Sequence, residues 1–145
     1  MRAKDYFRRV LAAETELKMI RAKIRHYQEI GYSVTGGTMD APVVSHSLGS
    51  SKVESAAMGI FDATMALEAQ MKDYLSVIAE ADRIVSQVPQ MKYREILTLR
   101  YMAGWSFRSI SDELKYEDPK SIYKAHGYAL AAAQKIIDKI GGDHG

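Results

Sequence analysis

Two long stretches of this chain repeat an apolar residue every three or four positions, and this spacing constrains the fold more than any other feature. Because an α-helix has about 3.6 residues per turn, it places the apolar side chains in one stripe. The first stripe comprises Ala3, Tyr6, Val10, Ala13, Leu17, Ile20, Ile24 and Tyr27. We predict helices over about 3–30 and 52–88. Each stripe is narrow enough to be buried by a partner helix, so we expect an all-α protein that opens with a long antiparallel helical hairpin.

The segment between the two stretches, residues 31–51, lacks the repeat and is rich in glycine and serine. These residues favour turns, so we predict a mobile loop. Residues 1–30 hold eight Lys and Arg against four acids, and residues 31–89 hold three against seven. Opposite charges favour pairing of the two helices as one domain, 1–88. Two alternatives stay open: both helices pack on the C-terminal region as core helices, or the stripe mediates self-association.

The C-terminal region, residues 90–140, has short helical patterns separated by turn residues. Apolar spacing predicts a helix over 91–102, and Gly104 is expected to end it in the left-handed conformation that glycine adopts without a Cβ clash. Ser106 is expected to cap the next helix, over about 107–115, through its hydroxyl. This succession of helices and turns is typical of a helix-turn-helix domain.

The last helix is predicted to begin at Pro119, since a first turn does not need the missing amide, with Asp118 as its cap. Its inward stripe is Ile122, Ala125, Ala129, Ala133 and Ile136. The small alanines let a neighbouring helix approach closely. The N-terminal half then exposes lysines and hydroxyls, which is the arrangement of a recognition helix that enters the DNA major groove.

These outward side chains are the candidate DNA-binding residues. Lysines one turn apart can meet phosphates or guanine edges, and the start of the preceding helix commonly meets the DNA backbone. The candidates are Arg108, Ser109, Lys120, Ser121, Tyr123, Lys124 and Tyr128. The alternative is a purely structural helical domain with solvated lysines, and the neighbouring Glu117 and Asp118 would repel phosphate.

Part of this region resembles a known family. The stretch from Tyr93 to Phe107, with Ile110 and Leu114 after it, resembles the promoter-reading region 4 of sigma-70 factors. Residues 121–130, Ser-Ile-Tyr-Lys-Ala-His-Gly-Tyr-Ala-Leu, are similar to phage late transcription regulators of the ArpU and RinA type. The reading-helix positions that this resemblance implies are Lys120, Ser121, Tyr123 and Lys124. Tyr128 stands where sigma factors usually carry a basic residue.

The resemblance implies a phage or prophage protein that binds promoter or operator DNA and influences transcription by the host RNA polymerase. Since the chain lacks the promoter-melting and core-binding regions of a complete sigma factor, it would act as an accessory regulator or activator. A homodimer fits this function, because two linked modules gain affinity for double-stranded DNA. Two other functions stay open: a DNA-packaging protein of the small terminase type, and a helical adaptor that binds other proteins.

Composition excludes several other classes. The chain has no cysteine, which excludes disulfides and thiolate metal sites and fits a cytoplasmic location. Its histidines are scattered, and neither a phosphate loop nor a catalytic triad is present. We therefore expect no enzyme activity, no cofactor or metal, and no membrane segment. His126 is expected to be a hydrogen-bonded structural residue, and Trp105 and Phe107 are expected in the core.

Overall fold

The computed structural model describes residues 1–34 and 46–142. The helices are α1 (Ala3–Val34), α2 (His46–Ser86), α3 (Met91–Leu97), α4 (Phe107–Glu113) and α5 (Ser121–Gly142). α3 continues directly into a π-helical turn, Thr98–Met102, which we call the π-turn. The described ranges contain no strand, so the all-α prediction is confirmed. Over the same ranges, no helix combines the length and the apolar character that a membrane-spanning segment needs.

The first two helices are longer than the sequence predicts. Both extend into the predicted mobile loop, making residues 31–34 and 46–51 helical. Glycine and serine each cost a helix only about 0.5–1 kcal/mol relative to alanine, which adjoining helical turns can offset. Gly31 also lies close to α2, since a Cβ built there would lie 3.7 Å from Ile60 Cγ2. The remainder of the predicted loop, residues 35–45, lies outside the described residues.

The chain divides into two compact units. The large unit combines Met1–Glu16 with Tyr74–Gly145, and the small unit is Leu17–Asp73. α1 and α2 therefore each contribute residues to both units. The predicted division into a helical hairpin, 1–88, and a helix-turn-helix domain, 90–140, stays a prediction.

The main core of the large unit is built by both ends of the chain. It joins the first turns of α1 and the last turns of α2 to α3, the π-turn and α5. Its buried residues are Ala3, Tyr6, Phe7, Val10, Ala81, Ile84, Val85, Val88, Leu97, Tyr101, Ala129 and Ala133. Beside it, the Tyr6 hydroxyl donates to Glu80 Oε1 at 2.7 Å, and the Ala3 amide donates to Gln134 Oε1 at 2.6 Å. These two hydrogen bonds tie α1 to α2 and to α5.

A second core lies beneath α4. Ile96 of α3, Ile110 of α4 and Ile122 of α5 are fully buried, and they pack together with Ala125. The predicted inward stripe of α5 is therefore confirmed, with Ile136 half-buried at its end. Because this cluster fastens α4 and α5 to α3, it decides which face of α5 remains exposed.

Two turn predictions are confirmed between the π-turn and α4. Gly104 has a φ of 74°, and the Trp105 amide donates to the Leu99 carbonyl at 2.9 Å. Ser106 caps α4, since its Oγ accepts from the Ser109 amide at 3.1 Å. The prediction that Trp105 lies in the core is wrong. Its side chain is 36% exposed, because it belongs to the turn and to neither core cluster.

α5 begins at Ser121, and the prediction of a start at Pro119 is wrong. Asp118 Oδ1 accepts from the Lys120 amide at 2.9 Å, and the Asp118 carbonyl accepts from the Ser121 amide at 3.0 Å. These short-range bonds close a tight turn around Pro119, so the regular helix starts only after it. Before this turn, Lys115 has a φ of 60°, a left-handed conformation that costs a non-glycine residue roughly 1–2 kcal/mol.

The small unit has its own buried and exposed faces. Leu17 and Ile20 of α1 are buried in it. On α2, by contrast, Met58, Phe61 and Met65 are more than half exposed. Their spacing of three and four places them on one side of the helix, so α2 presents an apolar outer face within this unit.

Candidate nucleic-acid interface

The N-terminal half of α5 exposes a face that is both basic and aromatic. We call it the outer face of α5, and it comprises Tyr123, Lys124, Gly127 and Tyr128. The tyrosine side chains are 59% and 52% exposed, and Lys124 is exposed between them. A Cβ built at Gly127 meets no atom within 4 Å. The outer face is therefore open to an approaching molecule, opposite the buried stripe.

A groove of about 330 Å³ runs along one flank of the outer face, and we call it the Lys124 groove. The Lys124 Nζ lies 6.0 Å from the centroid of the Tyr128 ring, and the Lys92 Nζ lies 4.3 Å from the centroid of the Tyr116 ring. Ser121 also lines this groove. Ammonium groups held against aromatic rings can donate to phosphate oxygens or to base edges.

A second groove, of about 390 Å³, lies along the other flank, and we call it the Arg8 groove. It is lined by Lys4, Arg8, Leu11, Arg100, Tyr101, Phe107, Tyr123 and His126. The Arg100 guanidinium carbon lies 4.3 Å from the centroid of the Phe107 ring, and its Nη1 donates to the Trp105 carbonyl at 2.9 Å. The Tyr123 ring also packs against the Phe107 ring, with 5.1 Å between their centroids.

The remaining candidate residues lie at the two helix starts. Arg108 and Ser109 are exposed in the first turn of α4, and the Ser109 hydroxyl accepts from Ser106 Oγ at 2.9 Å. Lys120 is exposed in the turn before α5. Of the seven candidates, the structure brings Ser121, Lys124 and Tyr128 into one groove and places Tyr123 in the other. Their contact with DNA stays a prediction.

Sequence reasoning missed four cations that line these grooves: Lys92 in the first, and Lys4, Arg8 and Arg100 in the second. Lys4 and Arg8 are four residues apart, so their spacing indicates that they share a face of α1. No local pattern indicates that this face reaches α5, because that depends on contacts between residues more than a hundred positions apart.

A hydrogen bond between Tyr101 and His126 lies beneath the outer face. The Tyr101 Oη and His126 Nε2 atoms are 2.6 Å apart, and the bond joins the π-turn to α5. Burial lowers the pKa of His126 below its ordinary value of 6.5, and the charges of Arg100 and Lys4 lower it further. Burial raises the pKa of the Tyr101 hydroxyl above 10.0. Both groups are therefore uncharged at neutral pH, and the hydrogen-bonded role predicted for His126 is confirmed.

Acid is expected to destabilise the protein through His126. Because the pKa of this group is lower in the folded protein than in the unfolded chain, the unfolded chain takes up the proton first as the pH falls. The contribution of His126 to the free energy of unfolding is therefore complete well above pH 6.5 and declines as the pH falls through 6.5 towards the lower folded-state pKa. Urea unfolding between about pH 8 and pH 5 measures this decline.

Two glutamine variants separate this effect from general acid sensitivity. His126→Gln keeps an acceptor for the Tyr101 hydroxyl but does not titrate, so its stability should depend less on pH than that of the wild type. His26 is exposed on α1, and His26→Gln should keep the wild-type dependence. If the stability of both variants depended equally on pH, the role assigned to His126 would be contradicted.

The described residues contain no group of three or more His, Asp or Glu side chains arranged to hold a metal ion. The two grooves instead hold N–H and O–H donors on both flanks of an exposed helix. This arrangement is suited to binding an anion. In comparisons with known proteins, no protein-family model, no curated protein and no solved structure matches the chain.

Proposed function

We propose that this protein is a sequence-specific DNA-binding transcription regulator of phage or prophage origin, which reads promoter or operator DNA with the outer face of α5. In this proposal α3, the π-turn, α4 and α5 act as a helix-turn-helix domain like region 4 of sigma-70 factors. α5 enters the major groove, and Arg108 and Ser109 at the start of α4 contact the backbone. α1 and α2 form a long helical hairpin that carries this domain.

The observation that carries the proposal is the contrast between the two faces of α5. Ile122, Ala129 and Ala133 are fully buried on the inner side, so the helix is held rigidly by its core. On the other side, Tyr123 and Lys124 project from a surface that is open at Gly127. A rigid helix with an open face of donors suits the major groove, which is about 12 Å wide and admits one helix.

Two acids beside this surface, Glu117 and Asp118, are exposed and oppose the binding of phosphate. Asp118 uses a carboxylate oxygen to accept from the Lys120 amide at 2.9 Å, and this hydrogen bond holds it in the turn before α5. Glu117 remains exposed, so we expect moderate affinity from a single copy. Two copies linked as a homodimer, or one copy held by the host RNA polymerase, would raise it through effective concentration.

Selection of bound duplexes from a random-sequence pool, followed by fluorescence anisotropy with the enriched duplex, tests this function on the full chain. We expect an enriched motif and an affinity that falls with salt. About four phosphate contacts would give a slope of log K against log salt of about −3.6. The absence of association with any duplex at low salt would overturn the proposal in favour of a protein-binding adaptor.

The same purified protein distinguishes a regulator from a packaging protein by its mass in solution. A monomer or dimer with an enriched motif supports the regulator. A ring of many subunits that binds duplexes without enrichment would overturn it in favour of a small terminase-type protein. The apolar face of Met58, Phe61 and Met65 on α2 is where self-association would be expected to bury surface.

A further inference from the structure

The Arg8 groove concentrates positive charge from three side chains on two elements of the chain. Lys4 and Arg8 come from α1 and Arg100 from the π-turn, and among the described residues that line the groove there is no carboxylate. Arg100 and Lys4 both act on the pKa of His126, and Arg100 and Arg8 both act on that of Tyr101. The three cations therefore direct their charge into the same space.

No ion pair among the described residues involves these cations. Over residues 1–34 and 46–142, an ion pair joins Arg2 and Asp5, at 3.3 Å, outside the groove. Arg100 donates through Nη1 to the Trp105 carbonyl, while its buried Nε has no hydrogen-bond partner. Cations that lie together without a carboxylate beside them form a positive patch, and such a patch attracts an anion.

The position of this groove relative to α5 indicates the source of the anion. Since successive helical residues turn by roughly 100°, Tyr123 and His126 lie on one flank of α5, and Ser121, Lys124 and Tyr128 lie on the other. The Arg8 groove and the Lys124 groove thus lie on opposite sides of the outer face. A helix in a major groove likewise has one phosphate backbone on each side.

We infer that the Arg8 groove binds a backbone phosphate of the duplex whose bases face α5, with Lys4, Arg8 and Arg100 as donors. This inference rests on the proposed function and adds α1 to the DNA-binding surface. Lys92, in the groove on the other side of the outer face, then faces the opposite backbone. The first turns of α1 therefore have two roles. Phe7 and Val10 build the core, while Lys4 and Arg8 on the exposed side of the helix contact one DNA strand.

Arg8→Gln and Arg9→Gln form a matched pair for testing this contact. Both arginines are exposed on α1, and the two changes remove the same charge, but only Arg8 lines the groove. We expect Arg8→Gln to weaken binding to every duplex by about threefold to fivefold, as for the loss of an exposed ion pair. Its salt slope should be shallower by about 1. Arg9→Gln should bind within about twofold of the wild type.

Arg8→Lys keeps the charge and should restore most of the affinity, and urea unfolding should show that all three variants fold. Equal binding by the Arg8→Gln and Arg9→Gln proteins would overturn the inference while leaving the proposed function intact. A wild-type protein that binds no duplex would overturn both.

Inorganic phosphate at about 10 mM tests the alternative that the Arg8 groove binds a free anion and not the duplex. If it raises the melting temperature of the wild type but not of Arg8→Gln, while the two proteins bind duplexes equally, the groove holds a free anion and the duplex contact is overturned.

Discussion

Replacement of Phe7 by alanine is expected to lower the free energy of unfolding by about 3–5 kcal/mol, the range for truncating a buried phenylalanine. Phe7 is fully buried in the large unit. Its ring centroid lies 5.1 Å from that of Tyr101 and 5.3 Å from that of Tyr6. Truncation would leave a cavity between α1 and the π-turn. Because a domain of this size has only about 5–15 kcal/mol of stability, the loss would be severe.

Met91→Ala is the matched control for this prediction. Met91 lies in the same unit, at the start of α3, but its side chain is 65% exposed. Its truncation should therefore change the free energy of unfolding by less than about 0.5 kcal/mol. Urea unfolding followed by circular dichroism measures both variants. A loss below about 1 kcal/mol in the Phe7→Ala protein would contradict the packing of α1 against the π-turn.

Phe7 also shows what the sequence could predict about this fold. The stripe of α1 was predicted correctly at Val10, Leu17 and Ile20, because a spacing of three and four needs only local geometry. Phe7 lies beside that stripe, so the pattern gave no reason to expect it in the core. It is buried because elements from the other end of the chain cover a second side of α1. Periodicity identifies a buried face, but the number of partners depends on tertiary contacts.

The turns around α4 show a similar limit. Gly104 and Ser106 were predicted correctly, since a left-handed glycine and a hydroxyl cap follow from the chemistry of single residues. The start of α5 was predicted incorrectly, because Asp118 has two competing roles. It can cap a helix that begins at Pro119 or close a tight turn that delays the helix, and the structure has the second arrangement.

The sequence predicts the residues that α5 contributes to the candidate site, but not the residues that α1 and α3 contribute. The spacing of Ser121, Lys124 and Tyr128 already places them on one flank of a helix, and the structure brings them into one groove. Lys92 and Arg8 join the grooves from α3 and α1. Their positions depend on how three helices pack, and single-sequence patterns contain no information about that packing.

Replacement of Lys124 by alanine has the second large expected effect, on DNA binding. Lys124 projects from the outer face of α5 and lines the groove on its flank. If it donates to a base, its loss should weaken binding to the enriched duplex by about 1–3 kcal/mol and relax specificity at one position. If it meets a phosphate, all duplexes should weaken alike and the salt slope should become shallower by about 1. Fluorescence anisotropy with the enriched and a scrambled duplex, each at several salt concentrations, distinguishes the two.

Lys135→Ala is the matched control, because Lys135 is also exposed on α5 but lies more than two turns further along the helix. The two variants lose the same charge from the same element, so a general electrostatic effect would weaken both equally. Only direct contact at the N-terminal half of α5 makes Lys124→Ala the weaker binder. Equal affinities and equal salt slopes in the two variants would remove Lys124 from the interface, and with it the reason for placing the outer face of α5 in the major groove.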